Sequence, residues 1–571
     1  MKASQKAVSA SHMSTAGKWK KNDELTLLID DMGTQGEGIG HADGYALFVK
    51  GALVGEKVRV RLMKLNKNYG FARLLEVLEP SPFRREPECK MSGPCGGCSL
   101  QHMAYEGQLA YKEKKVKDCL TRIGGVDISK VEWLPILGME DEPWHFRNKA
   151  QFPVRADEQG RAVTGFFADR SHRLVPVDTC AIQHPVINEA AAVVTAFLRE
   201  YSISPYDEDK HRGLVRHIYV RRGFYTGQVM VCLVINGTKL PHADVLIERL
   251  RQISGMTSIC LNMNREKTNV ITGRETVLLW GSDFIEDTID SIRYRISAQS
   301  FYQVNPLQTR RLYEVALSFA DLRGQETVWD LYCGIGTISL FLAKNLSVDK
   351  GGRVIGVEIV PEAIENAKQN AALNNITQAE FYCGAAEDIV PELLSEGVAS
   401  GNADVVVLDP PRKGCDGRLL ETVVRMAPEK IVYVSCDPAT LARDLKVLGE
   451  KGYEVRKVRA CDMFPQGGHV ETVVKLSLKK DTPKIEVTME PDEESNYTPE
   501  EKATYQKIKD YVKDKYGVNV SSLYIAQVKR MCGLDMGENY NKSKKENPEV
   551  KQCPQEKVEY IKDALRYFKM I

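Results

Sequence analysis

Hydrophobic and polar positions divide the chain into stretches of different rhythm. Between residues 22 and 80 the pattern is short and strand-like, with Leu25-Thr-Leu-Leu-Ile29 and the strictly alternating Lys57-Val-Arg-Val-Arg-Leu62. Alternation puts every second side chain on one face, so these runs predict strands of a small β-barrel, with Gly36-Glu-Gly-Ile-Gly40 supplying turns. Pro80-Ser-Pro82 marks a boundary. Residues 81–294 mix helical spacing with runs at 216–222, 227–234 and 269–273 that read as hairpin strands, giving a central α+β domain. From 295 to 478 apolar runs alternate with helical stretches, the pattern of an α/β domain built on a parallel sheet. After Lys480 an acidic, proline-containing linker leads to a helical module, so that 479–571 forms the last unit. There Thr498-Pro-Glu-Glu501 reads as a capping box, and Val558, Ile561, Leu565 and Phe568 recur at helical spacing. Residues 1–21 carry neither rhythm and are expected to be a disordered lead.

Composition narrows this picture. At 571 residues with 43% hydrophobic content the chain has room for several packed cores. No apolar run reaches a membrane span, and the first residues lack the apolar core of a secretory signal, so a cytoplasmic protein is expected. With 78 basic and 77 acidic residues the net charge is +1, so any nucleic-acid surface must be local. Lys57, Arg59, Arg61, Lys64, Lys67 and Arg73, with Tyr69 and Phe71 nearby, are either such a surface or an ordinary solvated barrel face. Fourteen cysteines in an unexported chain point to metal binding or catalysis where they cluster, not to a disulfide framework.

Chemistry concentrates in the α/β stretch. Thr327-Val-Trp-Asp-Leu-Tyr-Cys-Gly-Ile-Gly-Thr337 is a strand, a glycine turn and the start of a helix, and Val354-Ile-Gly-Val-Glu358 is a second strand ending in an acid. A carboxylate there can grip a ribose diol. The third glycine of the dinucleotide fingerprint is missing, which favours a different adenosyl cofactor. Ala403-Asp-Val-Val-Val-Leu-Asp-Pro-Pro-Arg412 places Asp409 at the end of a buried strand. Methyltransferases that attack exocyclic amines carry an aromatic after the two prolines; Arg412 stands there instead and argues against that reaction. Lys430-Ile-Val-Tyr-Val-Ser-Cys436 brings a thiol to the same edge, and Gly467-Gly-His-Val-Glu471 brings a carboxylate to the start of the last strand. A thiol and a base suit methylation of a carbon that is a poor nucleophile. Thiolate addition to carbon 6 of uracil makes carbon 5 nucleophilic, and the base then removes the carbon 5 proton.

The chain resembles the RNA uracil-5 methyltransferase family, and within it the bacterial 23S rRNA (uracil-5-)-methyltransferases. The resemblance is carried by Ser300-Phe-Tyr-Gln-Val-Asn305, Asp330-Leu-Tyr-Cys-Gly-Ile-Gly-Thr337, Asp409-Pro-Pro-Arg412, Ser435-Cys-Asp-Pro438 and His469-Val-Glu471, over about residues 22–478. It implies a Rossmann-like S-adenosylmethionine methyltransferase fold for 295–478 and a TRAM domain, hence RNA binding, for 22–80. It also implies Cys436 as nucleophile and Glu471 as general base, with Gln303, Tyr332, Glu358 and Asp409 at the cofactor site. The expected product is 5-methyluridine in 23S rRNA, with transfer RNA the alternative substrate and a non-catalytic RNA-binding protein the alternative class. A monomer is expected.

Cys89-x5-Cys95-x2-Cys98 needs a fourth ligand to make a four-thiolate site. Cys180 matches the family's fourth position, and the resemblance implies a [4Fe-4S] cluster, with four-thiolate zinc the physical alternative. The C-x3-C-x2-C spacing of radical enzymes is absent, so the cluster is expected to be structural or to support RNA, and no redox-partner surface is legible.

Overall fold

The first alternating stretch closes into a barrel. Its strands are Glu24–Met32, Gly38–Ala42, Tyr45–Lys50, Lys57–Leu65 and Tyr69–Glu79. Leu27, Ile29, Leu47, Val49, Val58, Val60 and Leu62 fill it. Gly38 and Gly40, expected in a turn, lie inside a strand, where a Cβ would meet the Ala52 and Leu28 carbonyl oxygens at 2.8 and 2.6 Å. They serve close backbone approach at a crowded crossing. The basic face is partly neutralised. Lys57 pairs with Glu79, Arg59 with Glu76 and Arg61 with Glu24, while Lys64, Lys67 and Arg73 face no carboxylate partner among the described residues. Phe48, Tyr69 and Phe71 form an aromatic group with centroids 5.6–5.8 Å apart.

This is a computed structural model, and it describes residues 19–395, 403–479, 505–518, 520, 522–532 and 553–568. It separates into two compact units, Met1–Thr482 and Pro483–Ile571. Within the first unit, a seven-stranded sheet has the order Glu275–Gly281, Met256–Met263, Val229–Ile235, Val215–Arg222, Lys149–Ala156, Ala162–Phe167, Leu174–Pro176. Its second and third strands in that order, Met256–Met263 and Val229–Ile235, run parallel. Residues 269–273, expected as a strand, form a loop. Asn264 Nδ2 donates to the Val270 and Ile271 carbonyls, and Asn262 Oδ1 accepts from the Gly273 N–H. Side chains have taken the groups a ladder would need.

The α/β stretch forms an eight-stranded sheet in the order Ala379–Cys383, Arg353–Glu358, Thr327–Leu331, Val405–Leu408, Lys430–Ser435, Glu471–Leu478, Tyr453–Cys461, Glu132–Leu137. The first five are mutually parallel. Val405–Leu408 is buried at every position, as expected for a strand covered on both faces. The last strand, Glu132–Leu137, comes from the region N-terminal to the central sheet and pairs in parallel with Tyr453–Cys461.

In the second unit, helices Tyr505–Tyr516, Ser522–Met531 and Gln555–Tyr567 pack Ile508, Val512, Ile525, Val528, Val558, Ile561 and Leu565 into one core. The capping box at 498–501 lies outside the described residues, as do residues 1–18 of the lead. Among the described residues no helix is long and apolar enough to cross a membrane.

Candidate active site

Parallel strands deliver their carboxyl ends to one edge of the sheet, where open α/β folds bind ligands. Thr327–Leu331 delivers the glycine turn, Arg353–Glu358 delivers Glu358, Val405–Leu408 delivers Asp409 and Lys430–Ser435 delivers Cys436. Glu471 arrives from the opposite direction. Its strand is antiparallel to Lys430–Ser435, with Thr472 opposite Ser435, so the beginning of one strand meets the end of the other. Cys436 is followed by Asp437, whose carboxylate accepts from the Ala439 and Thr440 N–H groups and caps helix Pro438–Glu450. The cap ends the strand sharply and leaves the thiol at the edge.

Charges here are crowded and dry. Burial, then the Asp409 carboxylate, pushes Glu471 up to about 8, with Arg412 opposing. Burial, then Asp330, raises Asp409 to about 7. Burial raises the Cys436 thiol to about 12, with Glu471 and Asp409 adding to it and Arg412 opposing. Asp330 itself is fully buried and raised to about 7. Ser339 Oγ donates to its Oδ2 at 2.5 Å, while its Oδ1 has no partner. This arrangement keeps Glu471 mostly protonated at neutral pH, leaves Asp409 and Asp330 about half protonated, and sets exchangeable protons beside a nucleophile. Arg412, noted in the sequence only for displacing an aromatic, is the cation that opposes both raised groups.

On the cofactor side, Glu358 folds over the turn. Its Oε2 accepts from the Gly334 N–H at 3.3 Å and its Oε1 from the Val360 N–H at 3.0 Å. Ile359 beside it is 64% exposed, an apolar surface next to the carboxylate. Tyr332 sits at φ 91°, bending the chain out of its strand. Its ring lies by Cys415 and Asp416, so its side chain is directed to the neighbouring turn. Cys415 is itself buried, its thiol donating to Tyr433 Oη at 3.5 Å while that hydroxyl donates to Asp444 at 2.7 Å.

The segment 300–305 crosses from the cofactor side to the base. Asn366, on the helix Pro361–Leu373 that follows Glu358, reaches Ser300 Oγ at 3.5 Å, and Arg221 donates to the Ser300 carbonyl at 2.7 Å. Asn148 Nδ2 donates to the Gln303 carbonyl, and Asn305 Nδ2 to that of Met463. Met463 lies just beyond Cys461, which stands opposite Glu471 in the ladder. Gln303 is buried along this path, and Phe301 is 67% exposed. Phe301 was not singled out in the sequence. Its signal was there, an aromatic in a motif whose other members are all anchored.

Cys89, Cys95, Cys98 and Cys180 are free thiols that line one cavity of about 250 Å³. Burial and the neighbouring thiols raise Cys95, Cys98 and Cys180, Cys98 to about 12. Arg147 lines the same cavity. Among the described residues no group of three His, Cys, Asp or Glu side chains is placed to hold a metal ion. A cube of four irons takes one thiolate per iron and spreads its ligands around a cavity, so four thiols and a buried cation fit a group of that class.

The fold and this edge define an S-adenosylmethionine-dependent methyltransferase. Residues 104–479 match the family described as tRNA (Uracil-5-)-methyltransferase, and residues 18–75 match the TRAM domain. An uncharacterized RNA methyltransferase of Clostridium tetani is 49% identical over 466 residues, 81% of this chain and 98% of its own. One from Halalkalibacterium halodurans is 50% identical over 460 residues, 80% and 98% of the two chains. The crystal structure of Pyrococcus abyssi tRNA (uracil-54, C5)-methyltransferase in complex with S-adenosyl-L-homocysteine aligns with a TM-score of 0.62 at 29% identity, covering 79% of this chain and 100% of that one. The chain belongs to the RNA uracil-5-methyltransferase family, with a TRAM domain at its N-terminal end.

Proposed function

We propose that this enzyme forms 5-methyluridine in 23S rRNA through a covalent adduct on Cys436. The observation that carries the reading is the meeting of one thiol and two proton-holding carboxyls, Cys436, Glu471 and Asp409, at the cofactor edge. Bound S-adenosylmethionine supplies an electrophilic methyl group. Cys436 Sγ adds to carbon 6 of the uracil, its proton passing to Asp409, which is raised to about 7 and so partly ionised at neutral pH. Asp409, protonated by that step, donates to the carbonyl oxygen on which charge develops. Carbon 5 then takes the methyl group, displacing S-adenosylhomocysteine. Glu471, once ionised, removes the carbon 5 proton, the carbon–sulfur bond breaks, and the thiol is restored. Glu358 holds the ribose, Gln303 borders the methionine end, Tyr332 acts through the backbone bend it makes, and Phe301 offers its face to a base.

Cys89, Cys95, Cys98 and Cys180 would hold a [4Fe-4S] cluster, with Arg147 as its counter-charge. The barrel together with the cysteine-bearing region favours ribosomal RNA. A second reading, transfer RNA, is favoured by the Pyrococcus enzyme, which acts on uracil 54 of tRNA.

RNA carrying 5-fluorouridine tests the chemistry. Fluorine cannot leave carbon 5 as a cation, so the wild-type enzyme should be trapped as an adduct that survives denaturing electrophoresis, and Cys436→Ala should form none. An adduct in Cys436→Ala would refute the nucleophile. Mapping 5-methyluridine in ribosomal and transfer RNA from cells lacking the protein separates the two substrates.

A further inference from the structure

Beside the nucleophile lies a cleft of about 350 Å³ whose walls come from five parts of the fold, one of them the turn at Asp169 and Arg170 after the strand Ala162–Phe167. The barrel contributes Gln35, the cysteine loop Gly97, the helix Tyr105–Arg122 Lys115, and the catalytic sheet Asp437, Gly468 and His469. Asp437 follows Cys436 and His469 precedes Glu471 by two residues, so this cleft adjoins both reacting groups.

The walls are tied together. Lys115 Nζ donates to the Thr34 carbonyl at 2.9 Å and to that of Gly468 at 2.8 Å, joining barrel to catalytic loop. The Ser99 and Leu100 N–H groups both donate to the Gln466 carbonyl at 3.0 Å, joining the cysteine loop to the same segment. Gln466, at φ 68°, exchanges two hydrogen bonds with Gln108: its N–H donates to Gln108 Oε1 at 2.9 Å, and its Oε1 accepts from Gln108 Nε2 at 3.0 Å. Buried Lys112 holds the start of the segment through Asp462 and the Phe464 carbonyl. The cleft is therefore preformed.

Two features point to a flat, neutral ligand. First, Gly97, Gly467 and Gly468 have neither a left-handed φ nor a crowded Cβ position. An added Cβ would come no closer than 3.5 Å to Cys95 Sγ, 3.5 Å to the Phe464 carbonyl oxygen and 3.6 Å to the Gln35 carbonyl oxygen, respectively. Backbone conformation and internal packing leave Gly467 and Gly468 unexplained, and close approach of a ligand to the main chain accounts for them; Gly97, between Cys95 and Cys98, donates its N–H to Cys95 Sγ at 3.4 Å and offers the cleft its carbonyl. Second, His469 makes no hydrogen bond to any described residue and packs edge-on to Phe464 at 6.1 Å. Burial, then Arg412 and two lysines, keeps its ring uncharged at neutral pH. A neutral imidazole presents one donor and one acceptor, the complement of a nucleobase edge. Lys50, Lys115 and Arg170 in its wall are matched by Glu37, Asp169 and Asp437, with Lys115 already on carbonyls and Lys50 on Asp169 at 2.9 Å, so the cleft has no cationic excess to offer a phosphodiester.

We propose that this cleft receives a second nucleobase of the RNA, extruded from a position within two nucleotides of the target uridine, and reads its edge through His469 and the main chain of Gly97 and Gly467–Gly468. The inference rests on the uracil-5 reading above. It gives the barrel and the cysteine loop a shared task, since each completes a wall of the specificity pocket.

The test uses synthetic stem–loop RNAs with one loop 5-fluorouridine flanked on each side by two randomised nucleotides. Adducts formed in the presence of S-adenosylmethionine are isolated on denaturing gels and sequenced. Wild-type adducts should be enriched for particular bases at one flanking position, on the order of tenfold, the scale of a single stacked or edge-read base. Folded His469→Ala should still form adducts but lose that enrichment, and so should Gly468→Leu, which fills the cleft from a position with room for a side chain. No enrichment in the wild type, or enrichment that survives in either folded variant, overturns the proposal. Failure of the wild type to form any adduct overturns the uracil-5 reading, and this proposal with it.

Discussion

Replacing Glu471 with glutamine separates addition from elimination. The variant keeps the thiol, the cofactor edge and nearly the same side-chain volume, but it has no base for the carbon 5 proton. Methyl transfer onto the adduct can proceed and release cannot. Turnover should fall by about 10²–10⁴-fold, the usual contribution of a positioned base, and a methylated covalent enzyme–RNA species should accumulate. The pH profile gives a second, independent signature. Burial holds Glu471 near 8 in the free enzyme, so roughly one molecule in eleven carries it ionised at pH 7 and about ten in eleven at pH 9. The base acts in its ionised form after methyl transfer, so wild-type kcat should climb about tenfold across that interval with a midpoint near 8. Glu471→Gln should lose this limb. Steady-state rates from pH 6 to 9 and denaturing gels of the reaction mixture measure both effects. Turnover of the variant within a few-fold of wild type, or a surviving limb near 8, would show that another group takes the proton.

Three further outcomes follow from features of the site and the domain plan. Protein purified without oxygen should be brown and contain about four irons per chain, held by Cys89, Cys95, Cys98 and Cys180; stoichiometric zinc without iron would rule this out. Removing residues 485–571, which lie in the second compact unit, should leave methyl transfer measurable, and a folded, cofactor-binding truncation with no activity would refute that. Asp330 is raised by burial from 3.8 to about 7, so the folded state holds its proton more tightly than the unfolded state, and stability is lost as pH rises through that window. Asn cannot ionise, so Asp330→Asn should gain in Tm relative to wild type between pH 5 and 8; a difference that does not change with pH would show that Asp330 stays as acidic as in the unfolded chain.

Much of this was legible before any coordinates. Period-two alternation found the barrel because one face of each strand is buried, and the fully apolar 405–408 run announced a strand covered on both sides. Cys436, Asp409 and Glu358 could be placed at one edge because parallel strands share a direction. Other parts were hidden for physical reasons. Residues 269–273 have strand-like composition, but their partners are side chains from elsewhere in the fold. Gly38 and Gly40 look like turn residues, although their role is to let strands cross closely. Tyr332 adopts a φ of 91°, a rare backbone conformation that composition does not reveal. Arg412 and Phe301 were in plain view inside the motifs, yet their roles depend on which charges and anchors surround them in space.

The strand Glu132–Leu137 also bears on how the protein can be made. During synthesis it leaves the ribosome some three hundred residues before its partner Tyr453–Cys461, and it must wait unpaired, or shielded by its neighbours, until that partner arrives. Pairings over such separations close slowly, and an unpaired strand edge invites association with other chains. The methyltransferase sheet is therefore not a module that can be cut out at residue 295. A fragment beginning there would expose the flank of Tyr453–Cys461 as a sticky border, and expression of the catalytic region alone should give aggregates unless residues 132–137 are supplied with it.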